Sequence, residues 1–260
     1  MFYPIIKLDN FQGFTTVHNF SPNNWEKSIL SEKLIYVIWS DGFFWNTYFI
    51  SKISINESKN INSNNLPDYI FINNLAFIYA SNEKLNTKLT ELPIINHFNT
   101  HTPNWRATIG IENNKTRVSY QGEVEPFPVK SSLLTFHPFL QFNGFNNYLL
   151  LLNLVKTPKI YESDLEIYNL LNNKYIATKK IKSNSASLIS INDFNFKTND
   201  LPIFVNRTMA AIPFGFGYNN DQTILSLEHT HPPASLVLHG NRFIVQSKIK
   251  EKWFNNLKND

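Results

Sequence analysis

No cysteine occurs in the 260 residues. That excludes a disulfide scaffold, thiolate metal ligands and a cysteine nucleophile. Glycine is scarce, at eight residues, and no phosphate loop or complete G-x-G-x-x-G turn is present. Gly215-Phe216-Gly217 is a fragment of the latter without a helix after it. No G-x-S-x-G elbow occurs, so serine chemistry of that type has no support. Arginine is limited to four residues, and the net charge of +4 comes mainly from dispersed lysines, with modest clusters at Lys179-Lys180-Lys182 and Lys248–Lys258. A nucleic-acid groove carries a denser, arginine-containing basic face, so nucleic acid is not an expected partner. No apolar run approaches the roughly 20 residues that cross a bilayer; the longest lies near Tyr148–Leu152, and no membrane association is expected. The opening MFYPIIKLDNFQ lacks a basic stretch leading into an apolar run. A cytoplasmic location is the expectation.

What the chain does have is apolar and aromatic mass. Hydrophobic residues make up 42% and aromatics 15%, enough to bury a core and to exclude wholesale disorder. Asn, Ile and Lys are abundant while Gly, Ala and Arg are scarce, the signature of AT-rich codons. That bias accounts for the Asn-rich stretch Asn56–Asn65 better than a prion-like character does. Residues with GC-rich codons should then persist where physics demands them, and they concentrate in Pro103–Gly110, Arg207–Gly217 and Pro232–Arg242.

Many short runs rich in β-formers are separated by turn residues. Residues 1–20 read as two strands about a turn at Gln12-Gly13, and Trp25–Leu30 as a short helix. Leu34–Trp39 reads as a buried strand. Asp41-Gly42 then leads into Phe43–Ile55, the strongest hairpin signal in the chain. Asn56–Pro67 reads as a polar loop, Tyr69–Ile72 and Leu75–Tyr79 as strands across Asn73-Asn74, and Ser81–Glu91 as exposed. Trp105–Ile111 and Thr116–Tyr120 form a second hairpin, and Pro126-Phe127-Pro128 interrupts any ladder. Ser132–Phe136 and Tyr148–Val155 are strands. Leu165–Leu170, Tyr175–Lys182 and Ser187–Ile191 read as a meander, and Pro202–Arg207 and Thr223–Leu227 as further strands around a glycine-bearing loop, Ala210–Tyr218. Asn241 is placed to cap a helix to Leu257, with Phe243, Ile249, Trp253 and Leu257 at helical spacing.

Turn signals every 8 to 12 residues argue an all-β fold of antiparallel sheets, sandwich or jelly-roll-like, with a C-terminal α-helix. A change of texture near His97–Thr102 divides it into an N-terminal β-rich unit, 1–98, and a C-terminal β-sandwich with the terminal helix, 99–260. Whether they share one core is open.

The densest chemistry lies in Glu228-His229-Thr230-His231-Pro232-Pro233 and His239. On an extended strand His229 and His231 share a face with Cβ atoms about 7 Å apart. That suits one divalent metal, zinc or iron, with His239, His101, His137 or a carboxylate completing the set. The spacing resembles the cupin metal motif. Pro232-Pro233-Ala234-Ser235 stands where that motif places its glutamate, so no fold or activity is carried over. A structural alternative is that these histidines cap a strand end. His101 and Arg106, with Arg117 and Arg207, offer donors for an anionic ligand, or structural ion pairs. Glu123 and Glu125 would share a strand face, a spacing compatible with paired acid–base carboxylates and equally with exposed acids on a hairpin. Trp39, Phe43, Phe44, Trp45 and Tyr48 crowd one hairpin, where they either fill the core or stack on sugar rings.

These features support a binding or accessory module for a polar ligand, glycan-like or anionic, with His101, Arg106, Glu123, His137, Arg207 and Glu228 as its contacts. The alternatives are a metal-dependent enzyme on His229 and His231, in which metal would polarise an oxygen or activate water, and a structural subunit that forms homo-oligomers.

Overall fold

The computed structural model describes residues 2–19, 31–93, 107–122, 124–128, 131–136, 144–197, 199–229 and 242–257. The fold is all-β with one C-terminal helix, as the turn spacing indicated. Among the described residues no helix is long and apolar enough to cross a membrane. The chain divides into two compact units, and the segments Leu154–Ile160 and Asn184–Ala186 belong with Met1–Pro126 in the first. The boundary expected at 98/99, the helix expected at 25–30 and the cap at Asn241 all lie outside the described residues.

In the first unit β1 (Phe2–Leu8), β2 (Phe11–His18), β3 (Lys33–Ser40), β4 (Trp45–Ile53), β5 (Ser58–Asn62), β6 (Leu75–Ser81), β7 (Lys88–Leu89), β8 (Thr108–Glu112) and β9 (Arg117–Gln121) form a nine-stranded antiparallel sheet. Its order is β7-β4-β3-β6-β1-β2-β8-β9, with β5 beside β2. β1 is the joint: Phe2–Ile6 pair with β6, while Lys7 and Leu8 pair with β2. The first turn is Asp9-Asn10, not Gln12-Gly13. Gly13 lies inside β2, where only glycine fits, because a Cβ there would meet the Ile6 carbonyl oxygen at 2.0 Å. Asp68–Phe71 is a 3-10 turn rather than a strand, begun at Pro67, whose carbonyl accepts from the Ile70 N–H at 3.1 Å. β5 lies within the expected polar loop. Only Ile61 of its five residues is buried against β2, so the segment has no apolar alternation to read.

The second unit contains β10 (Leu133–Phe136), β11 (Phe145–Leu152), β12 (Glu162–Asn169), β13 (Lys174–Lys182), β14 (Ala186–Ser190), β15 (Pro202–Asn206), β16 (Ile212–Asn219), β17 (Leu225–His229) and α1 (Arg242–Asn256). Two four-stranded sheets, β10-β15-β12-β13 and β14-β11-β16-β17, face each other. Leu149, Leu151 and Ile189 from one meet Leu133, Leu165, Ile167, Ile181 and Phe204 from the other. On the far side of the first sheet, Tyr168, Ile203 and Val205 pack with Phe254 and Leu257 of the helical segment. Strand side chains alternate, so β15 sends Phe204 into the sandwich and Ile203 and Val205 to the helix. Its run Pro-Ile-Phe-Val is continuously apolar for that reason. Each fully buried side chain of this size contributes about 1.5–3 kcal/mol.

Three readings of this half change. β14 pairs with β11 rather than continuing a meander from β13. The chain turns at Asn184, at φ 51°. Its side chain accepts from the Val155 N–H at 2.9 Å and donates to the Thr157 carbonyl at 2.9 Å. β16 replaces the expected glycine-bearing loop, with Pro213 opposite Leu151 in a regular ladder. Gly217 sits against the Phe145 ring, which a Cβ would meet at 2.4 Å. The apolar face of α1 runs through Trp253 and Phe254, whereas Ile249 is 49% exposed.

Phe204→Ala should therefore cost about 3–5 kcal/mol, whereas Ile249→Ala should stay within about 0.5 kcal/mol of wild type. Denaturant midpoints of the two variants test this assignment of inside and outside.

Candidate functional site

Of the nine singled-out side chains, His101, Arg106, Glu123, His137, His231 and His239 lie outside the described residues. Arg207, Glu228 and His229 can be placed, all in the second unit. Arg207 follows β15 and meets Glu166 of β12. Its Nε and Nη2 both donate to the Glu166 carboxylate at 3.0–3.2 Å. Nη1 donates to the Phe254 carbonyl at 3.4 Å, and the guanidinium lies 5.0 Å from the Phe254 ring centre. The Tyr168 hydroxyl donates to Glu166 at 2.8 Å. Burial and the neighbouring Glu166 charge hold that phenol above its ordinary range. The forked geometry that suits Arg to an anionic ligand is engaged here with an internal carboxylate 41 residues away.

β17 carries Glu228 and His229 on opposite faces, opposite Gly215 and Phe214 respectively. A carboxylate on the far face does not join His229. The His229 ring lies 4.9 Å from the Phe214 ring, and Nδ1 is 3.2 Å from the Pro213 carbonyl. A carbonyl can only accept, so in that contact Nδ1 is the donor. Among the described residues no group of three or more His, Asp or Glu is placed to hold a metal ion. On the same face of this sheet Tyr148 and Tyr218 stack with ring centres 5.5 Å apart and hydroxyls at 3.0 Å. Burial first, then that hydrogen bond, push the Tyr148 phenol up.

The β3–β4 hairpin of the first unit divides its aromatics. Trp39 and Trp45 are buried, whereas Phe43, Phe44 and Tyr48 are exposed. The Trp45 indole N–H donates to the Lys156 carbonyl at 3.0 Å, and the Ser40 hydroxyl donates to the Pro158 carbonyl. Tyr48 stands opposite Val37 and Asn46 opposite Trp39, so these four share a face. Tyr69 leans on Trp39 with ring centres 5.8 Å apart. Phe43 is 81%, Tyr69 58% and Tyr48 45% exposed. Tyr69 was missed as a surface ring because its segment reads as a strand.

The turn between the strands is held by Asp41. One carboxylate oxygen accepts from the Phe43 and Phe44 N–H groups, each at 2.8 Å, and the other from the Asn46 amide at 2.8 Å. Gly42 supplies the positive φ of 92° that the turn requires. Lys88 lies 5.1 Å from the Phe44 ring centre. Burial acts to raise the Asp41 carboxyl, but the Asn46 and backbone hydrogen bonds and the Lys88 charge outweigh it and hold it below its ordinary value.

The chain matches no protein-family model, no curated protein and no solved structure.

A depressed folded-state value means that Asp41 stabilises the fold fully above the ordinary pKa of 3.8, and that the contribution is lost as pH falls through the lower, folded value. Asp41→Ala should be less stable than wild type at neutral pH, and the gap should close in that acid window. Urea midpoints measured against pH check it. Arg207→Ala should cost about 1–3 kcal/mol by stripping Glu166 of its fork, read from the same unfolding curves.

Proposed function

We propose that this chain is a binding module for a neutral polar ligand of the glycan class, held on the outward face of the β3–β4 hairpin. The observation that carries the reading is the set of exposed rings Phe43, Tyr48 and Tyr69, of which Tyr69 leans on the buried Trp39 and Tyr48 shares its face. Sugar rings offer apolar C–H faces that stack on such surfaces, and the tyrosine hydroxyls exchange hydrogen bonds with sugar hydroxyls. A turn braced by Asp41 presents these rings with little ordering left to do on binding. A neutral ligand is favoured over an anionic one because Arg117 and Arg207 engage internal groups. Arg207 pairs with Glu166, and Arg117 stacks on Phe14 at 3.5 Å and pairs with Glu112.

Each stacked ring contributes about 1 kcal/mol, roughly five-fold in Kd. Wild-type protein should bind one or more neutral oligosaccharides on a glycan array. Tyr48→Ala and Tyr69→Ala should each weaken that binding about five-fold, with unchanged circular dichroism. No neutral glycan bound, or full binding by the double variant, overturns the reading.

A metal-dependent role at His229 and His231, with His239 as third ligand, has one observation behind it. Nδ1 of His229 is held on the Pro213 carbonyl, the kind of backbone contact that orients a histidine that ligates zinc or iron. Near-stoichiometric metal in tag-free protein, lost in His229→Ala/His231→Ala, is the expected result under this reading. Metal-free protein that takes up none on reconstitution ends it.

A further inference from the structure

We propose that Lys250 is a nucleophilic amine that captures an aldehyde as an imine, at a site between α1 and the β10 segment. The three lysines of α1 differ sharply. Lys248 and Lys252 are exposed, whereas Lys250 is partly buried and turned inward. Its Nζ donates to the Ser132 carbonyl at 2.5 Å. Among the described residues no carboxylate lies within ion-pair distance of it. Glu251, next in sequence, is exposed on another side of the helix, and Glu166 on the sheet is taken by Arg207. Trp253 and Phe254, three and four residues on, share the helix face of Lys250. They pack into the apolar cluster with Tyr168, Ile203 and Val205. Trp253 also meets Phe136 of β10 edge-on, ring centres 5.6 Å apart.

An amine removed from water, given a neutral acceptor and no counter-charge, favours its uncharged form. Burial brings Lys250 down to about 8 from the ordinary 10.5. Near pH 8 roughly half of it carries a free lone pair, against well under 1% of an ordinary lysine. Desolvation of this kind activates lysine for imine chemistry. The lone pair attacks the aldehyde carbon and a C–N bond forms. The carbinolamine then loses its hydroxyl as water, and the two nitrogen-bound hydrogens leave with the carbonyl oxygen. The product is a C=N bond and one water, with no change of oxidation state. This inference is independent of the glycan reading, which concerns the other unit.

The test treats the full-length protein with butyraldehyde and cyanoborohydride at neutral pH and maps alkylated lysines by peptide mass spectrometry. Lys250 should be modified at least about ten-fold faster than Lys248 and Lys252, one pKa unit's worth of neutral amine. In denaturing urea that advantage should vanish. Equal or slower labelling of Lys250 in the folded protein overturns the proposal, and so does an advantage that persists in urea.

Discussion

The hydrogen bond from the Trp45 indole to the Lys156 carbonyl anchors the end of the β3–β4 hairpin. A buried indole demands a partner for its N–H, and Lys156 lies in Leu154–Ile160, one of the two stretches that the later chain contributes to the first unit. With Ser40 bonded to Pro158 of the same stretch, the end of the hairpin is fixed from inside. Truncating a ring of that size costs about 3–5 kcal/mol, so the strand does not turn over to hide its other aromatics. Alternation then places Tyr48 and Asn46 on the face of Trp39 and Tyr69, and Asp41 holds Phe43 at the tip.

A different constraint governs the second unit. β15 is covered on both faces, by the facing sheet through Phe204 and by the helical segment through Ile203 and Val205. Only an apolar strand can occupy such a place, and it leaves the polar work to its ends. Asn206 closes the loop after it by accepting from the Thr208 and Met209 N–H groups. Arg207 clamps Glu166 to the helix backbone. The same helix brings Lys250 against Ser132, just before β10, with no counter-ion among the described residues, so the contact that seals the sheet also creates the least comfortable charge among the described lysines.

Local chemistry made much of the fold legible. Asp41-Gly42 between two β-rich runs gave the hairpin, the runs Trp105–Ile111 and Thr116–Tyr120 gave β8 and β9, and the unbroken Pro-Ile-Phe-Val run gave β15. What the sequence hid is non-local. The side on which Tyr48 and Phe43 emerge depends on cover from residues 154–160. It also depends on a bulge that moves the register from Ile35 opposite Ser51 to Tyr36 opposite Phe49. β5 lacks the alternation that betrays a strand because it is a polar edge, and in β16 the alternation of Phe214, Phe216 and Tyr218 was masked by Pro213 and the glycines between the rings. Arg207 read as a donor for ligands because its partner sits 41 residues away. Glu228 and His229 read as neighbours in sequence, and strand geometry separates them to opposite faces.

The central claim is that the hairpin presents its rings to solvent from a fixed, Trp45-anchored base. Carbene footprinting of the native protein, read residue by residue, tests it most directly. The account predicts heavy labelling of Phe43, Tyr48 and Tyr69 with Trp39 and Trp45 protected in the same sample. Protection of Phe43, Tyr48 and Tyr69, or labelling of Trp45 equal to theirs, would contradict it.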